Sequence, residues 1–339
     1  MHLYNLLRSL LFKMDAEKSH HFSLHSLKAL KNLNLLGNTY EQNQEFKILG
    51  LNFKNKIGLA AGLDKNGEYI DALGALGFGF IEIGTVTPKA QGGNNLPRLW
   101  RLPEYESIIN RMGFNNYGVD FLIKNVKNSI WVKQGGIIGI NIGKNAATSL
   151  DNALTDYLIC LEKVYNYASY IVVNISSPNT NNLRDLQKGN NFLELLQGLK
   201  QKQQQLNLKY QKYVPILIKI APDLEEQEIQ DIAKNLIYFE IDGVVSSNTT
   251  IDKSSLPQDL RYEGGLSGAL LKNKSDNILE KLNSYINKHI PIIGVGGIMS
   301  AEDCSNKFNL GADLVQLYSG FIYNGPKLIK DCIDITQKV

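Results

Sequence analysis

No stretch of the 339-residue sequence approaches the roughly 20 consecutive apolar residues that crossing a bilayer requires. Cysteine is scarce. Cys160, Cys304 and Cys332 stand far apart, odd in number and without CxxC spacing, which speaks against a disulfide framework or a structural zinc site and suits a reducing cytoplasm. Histidine is scarce where chemistry would need it: His2, His20, His21 and His25 crowd into the first 25 residues, and His289 only precedes an apolar run. Histidine triads and metal centres therefore have little support in the main domain, and no metal is expected. Runs of one charge are also missing. The 36 basic and 33 acidic side chains leave a net charge of +3 spread along the chain, so nucleic acid is not an expected partner. With 43% hydrophobic and 20% charged residues the composition is that of a folded globular protein rather than a disordered one.

The N-terminus is rich in leucine. In "MHLYNLLRSLLFKM", Leu3, Leu6, Leu7, Leu10 and Leu11 follow the spacing of one helical face, and Arg8 with no small-residue cleavage site argues against a signal peptide. A second helical pattern starts after Asp15, a suitable N-cap, and carries Phe22, Leu27, Leu30 and Leu33 towards a stop at Gly37. Two readings are open for this pair. The helices dock on the main domain or close its bottom, or they lie in a membrane interface, with Arg8, Lys13, Lys18, Lys28 and Lys31 meeting anionic head groups.

After a polar linker near residues 38–46 the chain becomes rhythmic. Eight strand-like runs follow: "IGLAAG" (57–62), "FIEIGTV" (80–86), "GIIGINIG" (136–143), "YIVVNISS" (170–177), "PILIKIAP" (215–222), "IDGVVSSNT" (241–249), "PIIGVGG" (291–297) and "ADLVQLYSG" (312–320). Helical compositions such as "NFLELLQGLKQKQQQLNLKY" separate most of them. Near-continuous Val/Ile strands alternating with helices give a parallel sheet covered by helices, and eight such units give an α/β fold of the (β/α)8 TIM-barrel type with a small N-terminal helical extension. An open doubly wound sheet is the rival, but no GxGxxG follows the first strand. The connection from Pro88 to Val132 is too long for an ordinary loop and has the length of a lid or binding element.

Barrels of this type build their sites at the C-terminal strand ends, and here nearly every such end is polar or glycine-rich. Glycine pairs after the seventh strand and "YSG" after the eighth suit a phosphate. The amides Asn141, Asn174, Asn179 and Asn248 suit a planar heterocycle with alternating donors and acceptors. Lys219 is a charge inside an apolar run. It is able to form a Schiff base, to pair with a carboxylate, or to stabilise negative charge on a cofactor. An aldolase or lyase with Lys219 as its Schiff-base nucleophile and a barrel that only binds a phosphorylated ligand therefore stand as alternatives.

The motifs "GLAAGLDKNGE", "GFGFIEIGTVTP", "PRLWRL", "INRMGFNN", "INIGKN", "NISSPNT", "KIAPDL", "SNTT", "GGLSG", "IIGVGGI" and "LVQLYSGFIYNGP", in this order, resemble those of dihydroorotate dehydrogenase, class 2, the quinone-linked branch. The resemblance covers almost the whole chain. It implies FMN across the barrel mouth, held by Ala61, Gly62, Thr85, Asn141, Asn174, Lys219, Ser247, Gly268, Gly297, Tyr318 and Ser319. Ser247 stands where threonine is frequent in the family, and either hydroxyl can make the bond. The substrate pocket maps onto Lys65, Asn110, Arg111, Met112, Gly113, Phe114, Asn174, Asn179, Asn248 and Thr249. The implied reaction oxidises (S)-dihydroorotate to orotate in pyrimidine (UMP) biosynthesis, with Ser177 taking a proton from C5 while hydride leaves C6 for flavin N5. Thr180 and Phe114 match positions tied to a proton relay. A serine rather than a cysteine at the base position, together with the N-terminal helices, selects class 2.

The resemblance also implies a division into a helical membrane and quinone-tunnel segment, residues 1–40, and an FMN-binding barrel, residues 41–339. Leu3, Leu6, Leu7, Leu10 and Phe22 would line or flank the quinone entry. The expected protein is a monomer, held peripherally on the cytoplasmic face of the bacterial inner membrane, with dihydroorotate and a membrane quinone as its partners.

Overall fold

The computed structural model describes residues 2–36 and 45–336. The expected stop at Gly37, most of the expected linker and the expected boundary between residues 40 and 41 lie outside the described residues, as does the Leu3 side chain.

All eight apolar runs form strands: β1 (Ile57–Leu59), β2 (Phe80–Val86), β3 (Ile137–Ile142), β4 (Tyr170–Asn174), β5 (Ile216–Ile220), β6 (Gly243–Ser246), β7 (Ile292–Val295) and β8 (Leu314–Leu317). Each pairs in parallel with the next, and β8 pairs with β1, so the sheet closes into a barrel. Alternation along the strands sends one residue in two to the outer helices and the other to the interior. The outer side carries the larger apolar cluster, in which Ile81, Ile140, Ile171 and Ile218 meet helices such as Ala153–Val164 and Gly189–Tyr210. A second cluster, of Phe80, Tyr170, Val172, Leu217, Ile293 and Leu314, fills the lower interior. The Phe80 and Tyr170 rings occupy space that a side chain at Gly58 or Gly139 would take.

The bottom of the barrel is closed by a hairpin absent from the sequence reading. Strands Phe46–Ile48 and Leu51–Phe53 pair antiparallel around Leu49 and Gly50, both with positive φ, the conformation of a two-residue turn matched to strand twist. Phe53 is fully buried and meets Phe80 edge-on at 5.3 Å.

The top is roofed by a three-stranded antiparallel sheet. Leu99–Leu102 and Ser107–Asn110 come from the long connection after β2, and Gly265–Gly268 comes from the segment after β6. Against this roof lie α1 (His2–Leu11) and α2 (Ala16–Asn32). Asp15 caps α2, accepting from the backbone N–H of Glu17 and Lys18. Arg101 donates to the carbonyls of Leu11 and Met14, and Tyr4 and Arg8 donate to the carbonyls of Ile322 and Tyr323. The pair therefore docks on the barrel, at the mouth and not at the bottom. Leu6, Leu7, Leu10 and Phe22 are left largely exposed, while Arg8 is turned inward. No helix among the described residues is long and apolar enough to cross a membrane.

Candidate active site

The strand ends, the roof and the mouth-side loops enclose one cleft of about 1020 Å³, its open entrance included. The structure gathers around it Ala61, Gly62, Thr85, Asn174, Lys219, Ser247, Gly268, Gly297, Tyr318 and Ser319, and with them Lys65, Asn110, Met112, Gly113, Phe114, Ser177, Asn179, Asn248 and Thr249. Two anticipated side chains sit elsewhere. Asn141 is fully buried behind the wall, and Arg111 turns away to pair with Glu263 at 2.7 Å and lie over Trp100.

The wall begins inside the barrel. Glu82 on β2 accepts from Asn141 Nδ2 at 2.8 Å and from Gln316 Nε2 at 2.5 Å, contacts that cross the interior from β3 and β8. Asn141 Oδ1 in turn accepts from the Thr85 hydroxyl at 2.5 Å, and Thr85 Oγ1 accepts from Asn174 Nδ2 at 3.0 Å. Asn174 Oδ1 accepts from Ser176, and the Ser176 hydroxyl accepts from Asn248 Nδ2 at 2.9 Å. Almost every amide is thus committed to a neighbour, which fixes which edge each can offer a ligand.

Lys219 on β5 points into this cleft. Burial pushes its ammonium pKa down, the Glu82 carboxylate opposes that, and it makes no hydrogen bond to another described residue. Such a cation calls for an anion or an electron-rich edge beside it. Gln316 Oε1 and Thr249 Oγ1, both buried and on residues that line the cleft, likewise lack partners. At the other end Gly296 and Gly297 leave β7 with φ of 113° and 74°, and a Cβ at Gly297 would stand 2.3 Å from the Lys272 backbone. Only glycine lets the chain turn so close there.

The "NISSPNT" turn leaves β4 with two serines in opposite roles. Ser176 is sealed into the amide network, whereas Ser177 lines the cleft and its Oγ accepts the backbone N–H of Asn179 at 3.2 Å. Asn179 Nδ2 donates to Asn110 of the roof, to its carbonyl at 3.1 Å and to Oδ1 at 3.2 Å. Arg184 braces the turn from behind, donating to the Ser176 and Thr249 carbonyls and pairing with Asp223 at 2.8 Å. Lys65 stands on the α2 side of the cleft, where burial pushes its pKa down to about 8; Glu17 holds it up, Arg98 lowers it and Asp64 raises it. Burial also takes His20 of α2 down to about 3, with the Lys65 charge adding to the effect.

Ser267, Leu271, Ile298 and Gln316 line the cleft without having been singled out in the sequence. Ser267 had a signal in "GGLSG"; Gln316, inside the run "LVQL", is an uncharged counterpart of the Lys219 anomaly.

The dihydroorotate dehydrogenase family model matches residues 44–339. The dihydroorotate dehydrogenase (quinone) of Neisseria meningitidis serogroup A is 56% identical over 333 residues, covering 98% of each chain. The enzyme of that description from Acinetobacter baylyi is 53% identical over 334 residues, again 98% of each. Among solved structures, DHODH of Eimeria tenella in complex with ferulenol superposes with a TM-score of 0.87 at 32% identity, covering 96% of this chain and 91% of that one. The closed parallel barrel, the serine-bearing turn at its mouth and these relatives together place the chain in the dihydroorotate dehydrogenase family.

Proposed function

We propose that the chain oxidises (S)-dihydroorotate to orotate in pyrimidine biosynthesis and delivers the electrons through FMN to a membrane quinone. The observation that carries this reading is Ser177, a cleft-lining hydroxyl just after β4, in the same cleft as the buried Lys219 cation of the neighbouring strand β5, which makes no hydrogen bond to another described residue. FMN, when bound, supplies the hydride acceptor for C6 at N5 and hands the electrons on.

The residues present fit that cofactor. Lys219 and the orphaned Gln316 oxygen offer a cation and an acceptor to the pyrimidine edge, and Thr85, Asn174 and Ser247 offer polar groups along the ring. Gly297, Tyr318, Ser319 and Gly268 would hold the phosphate and Ala61 and Gly62 would meet the ring, all of them lining the cleft; Asn141 would act through Thr85. Ser177 takes the C5 proton at Oγ as its own hydroxyl proton passes to the Thr180 hydroxyl and on to solvent, with the Phe114 ring only walling the cleft, and the Asn179 N–H donated to Oγ favours the charge that builds there. Lys65 offsets the substrate carboxylate, and Asn110, Asn179, Asn248 and Thr249 hold the ring.

The exposed Leu6, Leu7, Leu10 and Phe22 on the mouth-side helices support peripheral attachment through α1 and α2, with the quinone entering beside them and residues 1–40 as the attaching segment. The protein acts as a monomer on the cytoplasmic face of the inner membrane. The deciding experiment reduces the purified protein anaerobically with dihydroorotate and then offers quinone, fumarate or NAD in parallel. Bleaching of the flavin followed by rapid reoxidation with quinone alone is expected; a colourless protein, or reoxidation by fumarate or NAD alone, overturns the assignment.

A further inference from the structure

A chain of polar contacts runs from α2 to the substrate side of the cleft. On α2, Glu17 holds Arg98 in a two-pronged ion pair, Nη2 to Oε1 at 2.7 Å and Nε to Oε2 at 3.0 Å, with side-chain exposures of only 13% and 12%. Arg98 Nη1 donates to the carbonyls of Gly92 at 2.6 Å and Asn94 at 2.9 Å. Asn94 then straddles the two segments that bound the substrate. Its Nδ2 donates to the Arg111 carbonyl at 2.9 Å and to the Asn179 carbonyl at 3.2 Å, and its backbone N–H donates to the Met112 carbonyl at 3.1 Å. Gly113 packs so closely on Asn94 that a Cβ would come within 2.8 Å of it.

We propose that Glu17, Arg98 and Asn94 are positioning residues for dihydroorotate: the helix pair, through this bridge, sets the spacing between the Asn110–Phe114 segment and the turn that carries Ser177. The proposal rests on the reaction assigned above. None of the three lines the cleft. A helix that only anchors the protein would not need a largely buried salt bridge aimed at the backbone under the substrate segment. Such a pair costs desolvation and is best used to fix geometry. Asn94 has two carbonyls to join from segments about 70 residues apart, and its loss lets each relax separately.

Glu17 has a second effect. It is one of the charges around Lys65, with Arg98, Asp64 and His20, and it is the largest influence keeping that ammonium protonated against burial. Lys65 must be charged to hold a carboxylate, so dihydroorotate binding weakens as pH rises through about 8. Without the Glu17 charge the weakening sets in at lower pH.

The test follows anaerobic flavin bleaching by dihydroorotate, which needs no electron acceptor and so leaves the quinone side out. Asn94→Ala and the isosteric Glu17→Gln are compared with the parent for FMN content, Tm, and the concentration and pH dependence of bleaching. Both variants, assayed well below their Tm, should keep parent FMN content while needing about tenfold more dihydroorotate; Glu17→Gln should also lower Tm, because it removes one partner of a largely buried pair, whereas Asn94→Ala, at an exposed position, should not. In Glu17→Gln alone the alkaline limb should move to lower pH. Bleaching at the parent's concentrations overturns the bridge, as does weaker bleaching that lost FMN or protein unfolded at the assay temperature accounts for. Should the parent itself fail to bleach, the reaction assignment falls and the bridge with it, an outcome distinct from parent-like variants.

Discussion

The two ends of the barrel are built from the same eight strands and solve opposite problems. At the bottom, the Phe46–Phe53 hairpin presses Phe53 onto Phe80, and the interior there is aromatic and aliphatic. At the mouth, two residues further along the strands, Phe80 gives way to Glu82 and Leu217 to Lys219, and the interior becomes a web of amides and hydroxyls around the buried Lys219 ammonium. The bottom is held by area removed from water, which tolerates any packing of about the right shape; the mouth is held by directional bonds whose partners must all be present. Damage to the first should appear as lost stability with intact chemistry, and damage to the second as lost chemistry in a folded protein.

The sharpest test of that division is Ser177→Ala. FMN should stay bound and dihydroorotate-driven bleaching should slow by about 10²–10⁴-fold, the usual contribution of a positioned proton acceptor; turnover near the parent's in stopped-flow would remove Ser177 from the role. Next comes Phe53→Ala, which empties a site with no solvent exposure and should cost about 3 kcal/mol in urea unfolding while the dihydroorotate dependence of bleaching is unchanged. If bleaching changes as much as stability does, bottom and mouth are not separable. The smallest effect concerns what faces outward at the mouth. Leu7→Ser together with Leu10→Ser should reduce flotation with anionic vesicles about tenfold and leave bleaching alone, because the two residues are 47% and 56% exposed and neither lines the cleft. Unchanged flotation would remove the leucine face from the attachment.

The strands were legible because fully buried parallel strands must be apolar throughout, and their ends stood out because turn and ligand chemistry are both polar. The motif order brought Ser177, Lys219 and the glycine turns to one place before any coordinates did. Four features were hidden. The hairpin plug begins inside the stretch read as a linker, and only its place under the barrel reveals why Phe46, Ile48 and Phe53 are apolar. The roof joins Ser107–Asn110 to Gly265–Gly268, a pairing across more than 150 residues that no local pattern announces. Arg111 and Asn141 sit in recognisable motifs, yet side-chain direction is set by the roof in one case and by strand alternation in the other, and neither is written in the residue type. The bridge through Asn94 escaped for the same reason: its meaning lies in the two carbonyls it joins.

Ser176 and Ser177 are chemically identical neighbours, and the fold separates them by the course of the turn that follows β4. The Ser176 hydroxyl turns back to bond Asn174, whose side chain lines the cleft, and the chain, no longer a strand, hands the next hydroxyl to the cleft itself. A single inserted or deleted residue between Asn174 and Ser177 would barely change composition, charge or hydrophobicity, yet it would carry Ser177 away from the place it holds in the cleft. The reactive group of this chain is thus specified by counting along the backbone, and length between strand and turn is under tighter constraint than most of the side chains that length carries.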